Sequence, residues 1–167
     1  NYNEMKKQAL IIDKLGKNVY VKIPVCNSKG IFSGKIINFL SNKRVKLNIT
    51  AVYTAKQTKK ILNVINKKSD VIISIFIGRA GDAGKDPLPE LLKSIKLAKN
   101  FEKVKILWAS VREPYNFLQA KKTGCHIITV PPAIIEKIES FGKSYNQLSL
   151  ETVRTFLTDS KKSKFKI

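Results

Sequence analysis

The chain has 167 residues, 43% of them apolar, and a formal net charge of +20 at pH 7. This length suits one domain with a buried core, and no apolar run is long enough to cross a bilayer. The two cysteines exclude a disulfide-rich scaffold, have no metal-ligand spacing, and favour a reducing, cytoplasmic setting.

The positive charge comes mainly from lysine. Only four of the 32 basic residues are arginine, the residue that proteins favour for bidentate contacts to phosphates and bases. The lysines are spread along the whole chain and are not grouped with aromatic residues. The sequence therefore predicts no specific nucleic-acid partner and no membrane partner, with weak, salt-sensitive binding to polyanions at most.

Apolar residues at helical spacing alternate along the chain with short apolar runs rich in β-branched residues, which predict strands. Asn1 stands where a start methionine is expected, and the first helix is already under way there, so we expect a longer reading frame. The predicted elements in chain order are a helix over 2–15, a strand over 19–24, a helix over 30–40, a strand over 45–50, a helix over 54–65, a strand over 70–77, a glycine-rich loop over 78–86, a helix from Pro87 or Pro89 to Asn100, a strand over 104–110, a helix over 113–122, a strand over 125–130, a helix over 132–140, a helix over 149–160 with Ser149 as its N-cap, and a frayed basic tail over 161–167.

A helix followed by five βα units predicts an α/β protein with a parallel sheet. Two architectures fit: an open doubly wound sheet, or the last five strands of a (β/α)8 TIM barrel followed by an extra C-terminal helix. No G-x-G-x-x-G fingerprint or P-loop follows a strand. We predict the partial barrel, as one domain over 1–167, because of where the polar residues of the strands fall.

Polar side chains recur at one parity in four successive strands, close to their carboxyl ends. Alternate residues share one face of a strand, and the opposite parity is apolar. The mixed face is therefore predicted to line a barrel interior, whose carboxyl end carries the chemistry of barrel enzymes. The residues assigned to this face are Tyr20, Lys22 and Pro24; Lys46, Asn48 and Thr50; Ile72, Ser74 and Phe76; and Ile106, Trp108, Ser110 and Arg112.

Lys22 is the central candidate, because it interrupts the apolar run over 19–25. A charged amine is costly in a buried strand, and burial favours the neutral amine, which is a nucleophile toward carbonyl groups. The alternative is a lysine at a strand end that reaches water.

The other polar candidates also have structural alternatives. Asn48 and Thr50 suit either substrate contacts or satisfied polar positions in a core, and Ser74 and Phe76 suit either a pocket wall or core filling. Two arginines just past strand ends suit either a phosphate clamp or a surface ion pair. These arginines are Arg79 and Arg112.

For four further residues a structural role is the preferred expectation. Asp82 and Asp86 lie in the predicted glycine-rich loop, where Asx turns are the expected role and substrate contact is the alternative. Cys125 and His126 lie at the beginning of the last strand, away from the carboxyl end, and are predicted to be structural.

A lysine, an Asn/Thr pair, serines and arginines at one barrel mouth suit a Schiff-base enzyme that acts on a phosphorylated sugar. The chain also resembles the transaldolase family, in particular its short branch that includes the fructose-6-phosphate aldolases. The segments that carry the resemblance are Val21–Val25, similar to the Schiff-base strand; Asn48–Gln57, similar to the N-x-T and aromatic-S/T-x-x-Q pattern; Ser74–Arg79, similar to S-P-F-x-G-R with isoleucine in place of proline; Ala109–Arg112, similar to A-S-[FV]-[RK]; and Thr129–Pro131, similar to the end of the last strand.

The resemblance implies that Lys22 is the Schiff-base nucleophile and that Asn48 and Thr50 contact a dihydroxyacetone unit and a catalytic water. Phe76 favours a transaldolase, since tyrosine at this position accompanies direct aldolases. No metal or organic cofactor is implied, and sugar phosphates are the implied substrates of a cytoplasmic homo-oligomer in the pentose phosphate pathway, whose last helix packs on a neighbouring subunit. The implied substrate-binding residues are Ser74, Phe76, Arg79, Ser110 and Arg112.

The family's D-T and T-T-N-P motifs and its carboxylate on the third strand have no match in this sequence. The resemblance therefore implies the C-terminal part of a longer enzyme, poorly active or inactive by itself, whose edge strands promote association. The alternatives are a direct fructose-6-phosphate aldolase, another phosphosugar lysine aldolase, a non-catalytic paralogue and a basic binding module.

Overall fold

A computed structural model of the chain describes residues 2–163, which form five strands and eight helices. The basic tail predicted over 161–167 begins inside the last helix, and its final four residues lie outside the described part. The elements are α1 (Tyr2–Asp13), β1 (Val21–Pro24), α2 (Gly34–Asn42), β2 (Leu47–Val52), α3 (Ala55–Leu62), β3 (Val71–Phe76), α4 (Ile77–Asp82), α5 (Leu88–Ala98), β4 (Val104–Ala109), α6 (Tyr115–Thr123), β5 (Ile127–Ile128), α7 (Pro132–Glu139) and α8 (Tyr145–Ser163).

The strands lie in chain order, β1-β2-β3-β4-β5, and each is parallel to the next. Parallel crossovers are right-handed, so steps that all run in one direction place every covering helix on the same face of the sheet. A doubly wound sheet reverses direction and is covered on both faces. The strand order thus rules out the doubly wound alternative and confirms the prediction of a partial TIM barrel wall.

The core lies between the sheet and the helices. The transverse row Ile49, Ile73 and Ile106 faces the helices and has no exposed surface, and Ile37 of α2 and Leu91 of α5 are equally buried. The opposite, inner face carries the row Lys22, Asn48, Ile72 and Lys105. Both lysines of that row are exposed, whereas Ser74, further along the same face, is buried.

The orientation of β4 differs from the prediction. Ser74 on the inner face is level with Leu107, whereas Trp108 is level with Ile75, which faces the helices. The assignment of Ile106 and Trp108 to the interior is therefore wrong. Lys105 already indicated the correct orientation in the sequence. It shares the parity of Leu107, and because burying a lysine beneath a helix is costly, this parity is expected to face away from the helices.

Trp108 is completely buried on the helix-facing side, so we expect its replacement to destabilise the fold. Trp108→Ala is expected to lower the free energy of unfolding by about 3–5 kcal/mol, through lost burial and the resulting cavity. Trp108→Phe keeps most of the volume and removes an indole N–H that has no hydrogen-bond partner among residues 2–163, so its cost is expected to stay below about 1.5 kcal/mol. Urea unfolding measures both free energies. Small and nearly equal losses of stability in the two variants would contradict the placement of Trp108 on the helix-facing side.

Two helices begin at different residues than predicted, because side chains organise the preceding loops. The Asn27 side-chain oxygen accepts the N–H groups of Lys29 and Ile31, so α2 begins only at Gly34. Ser144 and Gln147 hydrogen-bond each other's backbone N–H groups in a capping box. The last helix consequently begins before Ser149, and the predicted N-cap at Ser149 is wrong.

The predicted loop over 78–86 and the last strand also differ. The segment Ile77–Asp82 is the short helix α4, and only Gly84, after its end, has the positive φ (70°) of a turn glycine. The strand predicted over 125–130 contains only Ile127–Ile128. Two prolines follow at 131 and 132, and since proline has no N–H to donate, the ladder ends early.

Candidate active site

Lys22 is the second residue of β1 and lies on the inner face, level with Asn48 of β2. Its side chain is exposed, so the prediction that it is buried is wrong for the described chain. The parity was predicted correctly, but the described residues leave the side chain at this position uncovered.

Asn48 and Ser74 are joined across β2 and β3. The Ser74 hydroxyl donates a hydrogen bond of 2.7 Å to the side-chain oxygen of Asn48. Because that oxygen is the acceptor in this bond, the Nδ2 group of Asn48 is the end of the amide that carries N–H groups to donate. Asn48 and Ser74 therefore form a hydrogen-bonded pair on the inner face, and Lys22 lies level with Asn48 on the neighbouring strand.

A bulge in β2 separates Thr50 from the strand's last residue. The register with β3 shifts between Ile49 and Val52, and Ala51 has φ of 58°, in the left-handed region that favours glycine. Such a conformation costs an alanine about 1 kcal/mol or more. The Thr50 hydroxyl oxygen is buried without a hydrogen-bond partner among the described residues, so it lacks the hydrogen bond that buried hydroxyls usually make.

An aromatic group lies at the carboxyl end of β3. The rings of Phe76 and Tyr53 are 5.8 Å apart and tilted by 58°. The guanidinium carbon of Arg79 lies 5.5 Å from the centre of the Phe76 ring, at cation–π distance. Phe76 thus holds Arg79 over the end of the sheet, and a capping box between Thr54 and Gln57 fixes the turn that follows Tyr53.

Ser110 and Gly78 bring the ends of β4 and β3 together. Ser110 has φ of 67°, which turns the chain sharply after the last residue of β4. A Cβ added to Gly78 would lie 1.6 Å from the Ser110 carbonyl oxygen and 2.9 Å from Cγ of Arg112. Gly78 is therefore required for close approach rather than for a turn.

Arg112 is held at both its backbone and its side chain. The Asn116 side-chain oxygen accepts its backbone N–H at 3.0 Å. Asp82 accepts from Nε at 3.0 Å with each carboxylate oxygen and from Nη2 at 2.5 Å. These bonds, with the charge of Arg79 adding to them, lower the pKa of Asp82, and Asp82 raises the pKa of Arg112.

The two arginines line separate clefts. Arg79 and Tyr53 line one of about 600 Å³, whereas Ser110 and Arg112 line another of about 280 Å³. Arg112 also lines a third cleft, of about 290 Å³, together with Asp82. The structure thus brings Ser110 and Arg112 together but does not unite them with Arg79 in any of these three clefts.

Sequence reasoning missed the roles of Lys105 and Asp82. Asp86 does form the expected Asx turn, since its carboxylate accepts the N–H of Leu88. Asp82 instead pairs with Arg112, thirty residues later. No local pattern contains that partner, although an acidic residue and an arginine after neighbouring strand ends are a weak signal for such a pair.

Cys125 and His126 both hydrogen-bond the backbone of β4, in agreement with a structural role. The ring Nδ1 of His126 accepts the N–H of Ile106 at 2.9 Å, and desolvation lowers the histidine's pKa. The Cys125 thiol donates to the Ile106 carbonyl, and burial raises the pKa of that thiol. Neither cysteine is in a disulfide.

No group of three or more histidine, cysteine, aspartate or glutamate side chains within residues 2–163 is arranged to hold a metal ion. No helix in the same range is both long and apolar enough to span a membrane.

Five consecutive parallel βα units with an inner-face lysine and polar strand ends form part of a (β/α)8 barrel, a fold whose chemistry lies at the carboxyl ends of the strands. Comparison with known proteins identifies the family of this barrel: residues 1–167 match the Transaldolase/Fructose-6-phosphate aldolase family. The chain belongs to this family, as the motifs predicted.

The chain is also similar to several proteins named "Probable transaldolase". It is 33% identical to one from Thermoanaerobacter sp. (strain X514) over 132 residues, which cover 78% of this chain and 57% of the relative. It is 29% identical to one from Caldicellulosiruptor saccharolyticus, covering 80% and 59%, and 30% identical to one from Nitrosopumilus maritimus, covering 90% and 70%. The chain thus spans between 57% and 70% of the length of these relatives.

Proposed function

We propose that this chain is part of a transaldolase, which transfers a dihydroxyacetone unit between ketose and aldose phosphates through a Schiff base on Lys22. The observation that carries the proposal is the position of Lys22 on the inner face, level with Asn48, whose side chain is bonded to Ser74. The family and the names of the relatives support it.

The proposed reaction starts with attack of the Lys22 amine on the C2 carbonyl of a ketose phosphate, and loss of water gives an iminium ion. The iminium accepts the electron pair of the C3–C4 bond as the C4 hydroxyl loses its proton. An aldose phosphate leaves, and an enamine of dihydroxyacetone stays on Lys22. A second aldose phosphate then adds, and water releases the new ketose phosphate. No metal or organic cofactor takes part.

The neighbours of Lys22 suit the recognition of this donor. We propose that Asn48 offers an amide donor, and Thr50 a hydroxyl with no partner among the described residues, to the hydroxyl groups of the dihydroxyacetone unit. Ser74 fixes Asn48, and Phe76 forms the wall that carries Arg79. We propose that Arg79, Ser110 and Arg112 bind the phosphate at the other end of the sugar, where guanidinium groups give charge-assisted hydrogen bonds.

We propose that the chain by itself turns over poorly. The inner-face residues of β1–β5 include no carboxylate that could move the C4 proton. Lys22 is also exposed, so water is not excluded from the position where the substrate carbonyl would bind. Both deficits would be removed by further strands that close the barrel over this face.

A direct fructose-6-phosphate aldolase is the second candidate. Phe76 favours group transfer, but the Tyr53 ring packs against it and places a tyrosine in the same part of the site. Free dihydroxyacetone separates the two candidates, because a direct aldolase uses it as a donor and a transaldolase does not.

The test of the proposed chemistry is trapping with borohydride. We expect fructose 6-phosphate followed by borohydride to leave a reduced adduct on Lys22 of the complete enzyme, since reduction of an iminium makes the bond permanent. Mass spectrometry of the digested chain locates the adduct, and incubation with borohydride alone is the control. An adduct spread over many of the lysines would contradict the assignment.

We further propose that the complete protein is a cytoplasmic homo-oligomer. Helix α8 has no buried residue, and five of its apolar side chains are between 44% and 66% exposed. Packing against a neighbouring subunit would cover them. These side chains are Leu148, Leu150, Val153, Phe156 and Leu157.

A further inference from the structure

We propose that Asp82 is a positioning residue that holds the Arg112 guanidinium ready for the phosphate of the substrate. The inference rests on the proposed sugar-phosphate site, and it gives a role to an acidic residue that no motif of the sequence assigned. Asp82 binds only the Nε–Nη2 edge of Arg112. A guanidinium has a second edge, which includes Nη1, and that edge stays open to an anion.

The clefts around Arg112 leave room for both Asp82 and a phosphate. Arg112 lines one cleft together with Asp82 and another together with Ser110, and Asp82 is not part of the second. The ion pair therefore leaves Arg112 accessible from the side on which Ser110 lies. With its backbone N–H bound by Asn116 as well, the arginine is fixed at both ends.

Fixing the arginine has a defined effect on affinity. A free arginine loses the freedom of several side-chain torsions when it binds a ligand, and a side chain that is already held loses less. An argument from charge alone predicts the opposite effect, namely that Asp82 weakens phosphate binding, because it is a negative group that interacts with the charges of both Arg112 and Arg79. Replacing Asp82 separates the two effects. Phosphate binding becomes weaker if Asp82 acts by holding Arg112, and tighter if its negative charge dominates.

The experiment is a titration of the ¹⁵N-labelled chain with inorganic phosphate at low salt, followed through the Nε–Hε signal of Arg112 and the amide of Ser110. We expect Asp82→Ala to raise the Kd for phosphate about three- to tenfold, Asp82→Asn to raise it less, and Asp82→Glu to restore most of the affinity. Asp86→Asn is the matched control, since the Asp86 carboxylate accepts the Leu88 N–H and not an N–H of Arg112, although it lines the same cleft, and its Kd should not rise above that of the unchanged chain.

Equal or tighter binding by Asp82→Ala overturns the inference, as does equal weakening in Asp86→Asn or the absence of phosphate binding by the unchanged chain. A purely structural role would lower the thermal midpoint without selectively affecting phosphate affinity. The result is independent of Lys22: a failed borohydride adduct with the expected Asp82 effect rejects the Schiff-base function alone, and an adduct with no Asp82 effect rejects this inference alone.

Discussion

Replacing Lys22 with alanine is expected to abolish the borohydride-trapped adduct completely, because the substitution removes the amine that we propose forms the iminium. The matched control is Lys105→Ala. Lys105 lies in the same transverse row of the sheet, on the same face, and is also exposed, but it belongs to β4. We expect this second variant to keep the adduct in full.

The comparison of the two lysines tests position rather than charge. Both variants remove one positive charge from a chain with a net charge of +20, so a general loss of affinity for an anionic sugar would affect them equally. Lys22 differs by having Asn48 beside it. An adduct that survives in Lys22→Ala, or disappears in both variants, would reject the assignment of the nucleophile.

Gly78→Ala is expected to cause the other large effect, a loss of about 1–3 kcal/mol or more in the free energy of unfolding. The new Cβ would lie 1.6 Å from the backbone oxygen of Ser110, which cannot rotate away as a flexible side chain could. The ends of β3 and β4 must therefore separate. We expect the Nε–Hε signal of Arg112 to shift as well, since its Cγ is only 2.9 Å from the same point.

Gly81→Ala is the control for this variant. Gly81 lies in the same short helix α4, and a Cβ added there has no atom within 4 Å. Because alanine is the better helix former, we expect a gain of about 0.5–1 kcal/mol. Urea unfolding of both variants provides the measurement, and similar changes at the two positions would show that the close approach at Gly78 does not matter.

Much of the fold could be predicted from the sequence because local patterns specify it. The apolar runs at 19–24, 45–50 and 70–77 and the helical segments between them marked the βα units, and the parity of Lys22, Asn48 and Ser74 follows from the two-residue period of a strand. The choice between barrel and doubly wound sheet was also correct, although the argument for it used a wrong assignment in β4.

The errors concern information that a local pattern does not contain. Alternation in β4 separates Lys105 and Leu107 from Ile106 and Trp108 but does not state which pair is covered by helices; the register with β3 decides that. Glycine spacing at 78–84 suggested a loop, whereas Gly78 is needed for contact with a residue thirty-two positions later.

The sequence by itself determined the order of the βα units, the family, and the set of side chains offered at the strand ends, because these depend on short-range periodicity and on motifs that are contiguous in the chain. Only the tertiary structure decided the exposure of Lys22, the bond between Asn48 and Ser74, and the pairing of Asp82 with Arg112. Each of these depends on which strands become neighbours and which face receives the helices, and such long-range contacts form only when the sheet assembles.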